Sequence, residues 1–146
     1  MACIRSSLFY VFTFVAVLGV APALADGSSR PYGGGGRINP GAIIAQYNKS
    51  GERFRIEGSC QSSCTMLLAI KNVCVDPGAR LLFHAALFPN EAGQKPPPKR
   101  QAAMLAAYKP ALRNYLVKNG YVSSFEFHTI SGADIIRKFG YRQCPN

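Results

Sequence analysis

The pattern of apolar and polar positions changes period several times along the chain. After Asn39 and Pro40, apolar residues recur at helical spacing. This spacing predicts a helix that Asn39 caps, that Pro40 begins and that residues 49–51 end. Residues 54–57 alternate between apolar and polar side chains, which is the period of a strand. A helix followed by a strand is therefore expected here.

The segment after this strand changes to small residues. Residues 58–64 (GSCQSSC) predict a tight turn, and the apolar run 65–70 predicts a buried helix. Residues 76–78 (DPG) are a second turn signal. The apolar residues 81–83 then predict a short buried strand that ends at His84.

The C-terminal half is predicted to be mainly helical. Residues 89–100 are polar and rich in proline and predict a loop, whereas residues 101–118 carry apolar side chains near one helical face. Pro110 is expected to kink this helix or to divide it in two. A last helix is expected from about Ser131, its cap, to Phe139. Strands that alternate with helices predict an α/β domain.

The most apolar stretch of the chain lies near the N-terminus. Arg5 precedes the apolar residues 8–20, and Ala23-Leu24-Ala25 places small residues at the two positions that a signal peptidase requires. A bilayer span needs about 20 apolar residues, so the stretch is short for a membrane anchor. We expect residues 1–25 to be a cleaved signal peptide and the protein to be exported, either to the periplasm or out of the cell.

The rest of the chain fits one small basic domain. Residues 26–36 are rich in Gly, Ser and Pro and predict a flexible lead-in, and residues 37–146 predict a single domain with one core. The whole chain has 17 Lys and Arg against 7 Asp and Glu, a formal net charge of +10. The basic residues are spread out, so they predict a surface that can meet an anionic envelope surface and not a specific nucleic-acid site.

The cysteines indicate disulfides. Removal of the signal peptide takes away Cys3 and leaves Cys60, Cys64, Cys74 and Cys144, an even number in an exported chain. Four cysteines allow three connectivities, and the sequence does not choose among them. We favour Cys60–Cys64, which would close the tight turn, with Cys74–Cys144, which would hold the C-terminus. The spacing lacks a zinc-ribbon pattern, so no metal site is predicted.

Three features could together form a hydrolytic site. Ser62 and Ser63 lie on the tight turn before the buried helix, where free N–H groups favour an oxyanion. His84 follows an apolar strand and could take a proton from a serine hydroxyl. Gly35 and Gly36 offer backbone N–H groups that can approach a carbonyl closely. Singly, each feature is more often a turn, a strand end or a linker.

In order and spacing these features resemble the Clp protease proteolytic subunit of the Clp-protease/crotonase-like family. They are still closer to its small exported relatives that have a Cys-x-Ser-x-Cys-Thr element. The resemblance spans residues 33–141 and implies an α/β domain built as a small spiral of β-β-α units. The matching residues are Gly35, Gly36, Ile38 and Gly41, Gly58 and Ser62 with residues 66–68, and Pro77, Ala79 and residues 81–84.

The resemblance implies a role for each residue of the site. Ser62 would be the nucleophile and His84 the general base, with the N–H groups of Gly36 and Ser63 as the oxyanion hole. The implied function is an exported serine hydrolase that cleaves peptide or protein substrates without a cofactor. Cys64 is an alternative nucleophile, but a cysteine in a disulfide has no free thiolate.

The family's orienting aspartate has no plain counterpart in this chain. Phe127 falls near its position, and the neighbouring candidates are Glu126, His128 and Asp134. A histidine without an orienting carboxylate is a poorer base. Two other functions therefore stay open: an inactive binding or structural protein of the envelope that keeps the fold, and a basic module for anionic polymers whose affinity would fall with salt.

Overall fold

The six strands of this domain form two small sheets. A computed structural model describes residues 26–36 and 38–145, so the predicted signal peptide, residues 1–25, lies outside the described residues. The strands are β1 (Gly27–Ser28), β2 (Phe54–Ile56), β3 (Ser59–Gln61), β4 (Val73–Val75), β5 (Arg80–Phe83) and β6 (His128–Ser131). The first sheet is parallel and has the order β1, β2, β4. The second sheet has the order β3, β5, β6, with β6 antiparallel to β5.

Helices connect these strands and make the domain mixed α/β. The α-helices are α1 (Pro40–Ser50), α2 (Pro98–Ala106), α3 (Pro110–Lys118) and α4 (Gly132–Phe139). Between β3 and β4 lies a 3₁₀ helix, Ser62–Ala69, which we call the serine helix. Shorter 3₁₀ turns are Arg30–Tyr32 and Pro89–Glu91. Within the described ranges, no helix combines the length and hydropathy that a membrane span needs.

The helix signals in the sequence are confirmed. The Asn39 side chain accepts a hydrogen bond from the Ala42 N–H at 3.1 Å at the start of α1, and Ser131 accepts one from the Asp134 N–H at 3.2 Å at the start of α4. Pro110 divides the second helical region, since it is the first residue of α3. A proline lacks the N–H that a helix interior needs but suits a first turn.

The core lies between the two sheets and the helices. Its fully buried side chains come from both sheets, from the serine helix and from the helices that cover them. The largest are Phe54, Phe83, Ile56, Leu67, Ile70, Leu81, Leu112, Leu116 and Ile135. Burial of apolar area on this scale is the main favourable contribution to folding.

Two disulfides are present, and of the three possible connectivities they have the one that we favour. Cys60 joins Cys64, four residues on, and Cys74 of β4 joins Cys144, 70 residues on. The last residues also pair with β4, because the Val75 N–H donates to the Arg142 carbonyl at 2.8 Å. The long disulfide and this pairing hold the C-terminal segment against the first sheet.

Residues 26–36 correct the expectation of a flexible lead-in. Strand β1 pairs with β2, and the buried Ser29 hydroxyl donates to the Glu57 carbonyl at 3.0 Å and accepts from the Glu57 N–H at 2.9 Å. The hydrogen bonds from Ser28 and Arg30 to the Glu57 carboxylate lower the pKa of that group. Serine-rich composition predicts flexibility when hydroxyls face water, whereas these hydroxyls bind backbone and carboxylate groups.

The sequence also missed three other strands, for one reason. Strand β3 lies inside the predicted tight turn, and β4 and β6 lie in segments with no predicted element. Each is only three or four residues long, so it offers too few positions to establish a period of two. Pairing with a neighbouring strand fixes such segments, and a partner distant in sequence leaves no local signal.

Candidate active site

Ser62 stands at an abrupt change of direction between β3 and the serine helix. Its φ is +55°, and among the described residues it is the one non-glycine residue with a positive φ. A side chain in this left-handed conformation costs about 1–2 kcal/mol. Strain of this kind persists where the surrounding structure enforces it, and it concentrates at functional sites.

Covalent and hydrogen-bonded contacts on both sides enforce the turn. The buried disulfide between Cys60 and Cys64 closes a ring that has Ser62 at its centre. The Thr65 hydroxyl donates to the Ser62 carbonyl at 2.7 Å and lies 2.7 Å from the Tyr108 hydroxyl. The Thr65 hydroxyl has one proton and donates it to the Ser62 carbonyl, so Tyr108 is the donor in the second hydrogen bond. Burial raises the pKa of Tyr108, so this donor stays protonated.

Residues 33–36, which we call the glycine loop, lie directly against the turn at Ser62. The Gln61 N–H donates to the Gly33 carbonyl at 2.9 Å, and the Gln61 side chain donates to the Gly34 carbonyl at 2.9 Å. The Ser63 hydroxyl donates to the Gly36 carbonyl at 3.2 Å. The predicted oxyanion residues Gly36 and Ser63 are therefore in contact, and the loop is held in place by β3 and the serine helix.

Gly35 and Gly36 offer a matched test of this packing. Both have a positive φ, of +64° and +72°. A Cβ at Gly35 would overlap the Gln61 carbonyl oxygen, whereas a Cβ at Gly36 would enter open space. We expect Gly36→Ala to cost about 1 kcal/mol of unfolding free energy, and Gly35→Ala about 3 kcal/mol because overlap adds to backbone strain. Urea unfolding measures both, and equal losses would contradict this packing of the loop.

His84 is buried at the end of β5, where two phenyl rings surround the imidazole. The ring centroids of Phe125 and Phe127 lie 4.9 Å and 4.7 Å from that of His84, both in edge-on geometry. Burial lowers the pKa of His84, with the backbone of Ala85 acting in the opposite direction. Nδ1 of His84 is buried and has no hydrogen-bond partner within the described residues. The imidazole is therefore neutral at pH 7.

The four residues to which the resemblance gives catalytic or oxyanion roles line one cavity of about 410 Å³. Its lining includes Ser62, Ser63, Gly36 and His84. Within the described residues, the Ser62 hydroxyl makes no hydrogen bond to His84 or to any other group. Hydrogen bonds of an active site are often loose without substrate, so a shared cavity with a free hydroxyl is compatible with proton transfer on binding.

None of the three candidates for the orienting carboxylate contacts His84 in the described part of the chain. Asp134 is held on α4 by Arg137 at 2.6 Å and Lys138 at 3.1 Å. His128 stacks on the Tyr121 ring, with centroids 4.4 Å apart. Glu126 is exposed, and its backbone N–H binds the Ser124 hydroxyl. The neighbours that the imidazole has instead are the phenyl rings of Phe125 and Phe127.

Sequence reasoning missed the wall of the cavity that α2 and a distant loop provide. Arg100, Ala103 and Met104 of α2 and Phe125 and Phe127 line it. The signal in α2 was available, because residues three and four apart lie on the same face of a helix. The two phenylalanines lie outside any regular element, so no period marked them.

Within the described ranges, no three His, Cys, Asp or Glu side chains come together as metal ligands.

Comparisons of the chain with protein-family models, with curated proteins and with solved structures give no match.

Proposed function

We propose that this chain is an exported serine hydrolase that cleaves peptide bonds, with Ser62 as nucleophile and His84 as general base, on a small β-β-α spiral like that of the Clp protease proteolytic subunit. The observation that carries the proposal is the left-handed Ser62 at a strand-to-helix turn, in the lining of the cavity that His84 also lines. A strained serine at such a turn is a recurrent arrangement for a nucleophile.

The order of strands supports the proposed spiral. From β2 to β5 the chain enters the first sheet, the second, the first again and the second again. A helix follows each pair: the serine helix after β3, and α2 and α3 after β5. This is a repeated β-β-α connection. Strand β1 also leads into the glycine loop, as the strand before that loop does in the family that the chain resembles.

The proposed chemistry follows from the groups around the cavity. The Ser62 oxygen would attack the scissile carbonyl carbon while His84 takes the hydroxyl proton, and His84 would then return that proton to the leaving amine. Nδ1 is buried without a hydrogen-bond partner among the described residues, so we assign the proton transfer to Nε2. The N–H groups of Gly36 and of Ser63, at the open end of the serine helix, would stabilise the oxyanion.

Phenyl rings in place of a carboxylate predict a slow enzyme. In a Ser-His-Asp triad, removal of the carboxylate function lowers the rate by about 10⁴-fold. The same observation favours the second candidate, a binding protein that keeps the cavity without turnover. The two candidates differ in one measurable property, hydrolysis above the rate of the solvent reaction.

The pH dependence of ester hydrolysis tests the role of His84. The neutral imidazole is the base, and burial lowers the pKa of His84 below its ordinary value of 6.5. We therefore expect kcat/KM for the p-nitrophenyl ester of N-acetylphenylalanine to rise with pH to a plateau, with its midpoint below 6.5. His84→Gln is expected to lower the plateau by about 10²-fold and to remove the midpoint. A midpoint at or above 6.5, or the same profile in the variant, would exclude His84 as the base.

A further inference from the structure

Two buried side-chain nitrogens of the described residues lack a hydrogen-bond partner, and both belong to residues that line the same cavity. They are Nδ1 of His84 and Nε of Arg100. Buried polar groups are paired in the great majority of cases, so each exception requires an explanation. A guanidinium N–H can only donate, so Nε of Arg100 is a buried donor without an acceptor in the part of the chain that the structure describes.

Contacts with Glu91 and Phe88 hold the guanidinium of Arg100, but they do not engage all of its N–H groups. Its Nη2 lies 2.8 Å and 2.7 Å from the two carboxylate oxygens of Glu91, and its Cζ lies 4.5 Å above the Phe88 ring. Nε and Nη1 make no hydrogen bond to the described residues. Glu91 is not part of the cavity lining, and Nη1 is the donor position that remains for a ligand, because Nε is buried.

The rest of the cavity wall is mainly apolar. Met66, Leu87, Met104, Phe125 and Phe127 line it, and Arg100 is the one charged side chain among the described residues that do so. Arg100 and Met104 are four residues apart on α2, so charge and apolar wall share one helix face. A ligand that fits both features has an apolar group and an anionic acceptor within one small volume.

Arginine matches a carboxylate well, because its planar donors and fixed charge suit two acceptor oxygens. Building on the hydrolase proposed above, we propose that Arg100 makes the cavity selective for substrates that carry a carboxylate next to a large apolar side chain. The carboxylate is either the free C-terminus of a peptide or an acidic side chain. The net charge of +10 favours the approach of such anions.

Measurements of ligand affinity test this inference without any need for a rate of catalysis. Two matched pairs distinguish the source of the carboxylate: N-acetylphenylalanine against its amide, and acetyl-Phe-Glu-amide against acetyl-Phe-Gln-amide. The ¹³C methyl signals of Met66 and Met104 report on the cavity in NMR titrations of the purified chain. We expect the wild type to bind the carboxylate member of one pair about tenfold more tightly than its neutral partner.

Variants assign this preference to the guanidinium. Arg100→Gln is expected to bind both members of the pair equally. Lys99→Gln removes one positive charge from an exposed neighbour and is expected to keep the preference. Equal affinities within both pairs in the wild type would overturn the inference, whether or not Arg100→Gln folds. So would a preference that survives in a folded Arg100→Gln.

The outcomes also separate this inference from the proposed function. Hydrolysis by Ser62 with no carboxylate preference would overturn the role of Arg100 alone. A carboxylate preference in a chain that hydrolyses no ester would support the role of Arg100 in binding and overturn the hydrolase.

Discussion

Replacement of Ser62 by alanine is expected to lower kcat/KM for ester hydrolysis by about 10³-fold, to near the rate of the solvent reaction. The reason is that, among the described residues, Ser62 alone combines an unbonded hydroxyl, a left-handed turn and a place in the cavity of His84. Alanine keeps the Cβ, so the backbone strain at φ +55° is retained and the fold should be unchanged. Steady-state kinetics with circular dichroism on the same samples provides the test.

Ser63→Ala is the matched control for this result. Ser63 lines the same cavity, but its hydroxyl already donates to the Gly36 carbonyl, and the variant keeps the backbone N–H. We expect a loss of a few-fold at most. Activity that survives Ser62→Ala and disappears in Ser63→Ala would transfer the nucleophile to the neighbouring residue.

Ser62→Gly separates strain from chemistry at the same position. Glycine adopts a positive φ without steric cost, so this variant should unfold at the same free energy as wild type or at up to about 1 kcal/mol more. It should be as inactive as Ser62→Ala. A variant that is more stable and inactive indicates that the native serine is kept for function at a cost in stability.

The two disulfides are expected to differ in what they support, the long one mainly stability and the short one also activity. Loss of the long disulfide by Cys74→Ala with Cys144→Ala should cost about 4 kcal/mol, because a 70-residue loop gains much entropy in the unfolded chain. Loss of the short one by Cys60→Ala with Cys64→Ala should cost about 2 kcal/mol. The short disulfide encloses Ser62, so its loss should lower kcat/KM about 10²-fold, as a displacement of about 1 Å can do.

Thermal unfolding and ester kinetics on the two double variants measure these effects together. The long-disulfide variant should lose about 15 °C in Tm and keep wild-type kcat/KM at temperatures where it is folded. If instead both variants lose activity in proportion to their stability, the short disulfide has no special role at the serine turn.

The elements that the sequence predicts correctly are those with a local signal at their ends. Asn39 and Ser131 cap helices through their own side chains, and Pro110 begins a helix because its ring excludes it from an interior position. The missed strands depend on partners elsewhere in the chain. Ser59 of β3 pairs with Arg80 of β5, which no window of neighbouring residues can show.

The residues of the site also divide into those that a local sequence signal marks and those that only tertiary packing brings together. The sequence singles out Ser62 and His84 because each follows a recognisable local element, and both line the cavity. It does not predict Arg100 in that cavity or the phenyl rings against His84, because tertiary packing brings these residues in from a separate helix and loop. The order that serine-rich residues 26–36 gain from Glu57 is likewise a tertiary effect.

The most direct test of the central claim is covalent labelling of the purified wild-type chain with a fluorophosphonate, followed by proteolysis and mass spectrometry. We predict one adduct per chain on the Ser62 oxygen, formed as fluoride leaves phosphorus, with a labelling rate that falls at pH values below the lowered pKa of His84. A folded wild-type chain that carries no adduct on Ser62 after prolonged exposure would contradict the proposal that Ser62 is a nucleophile.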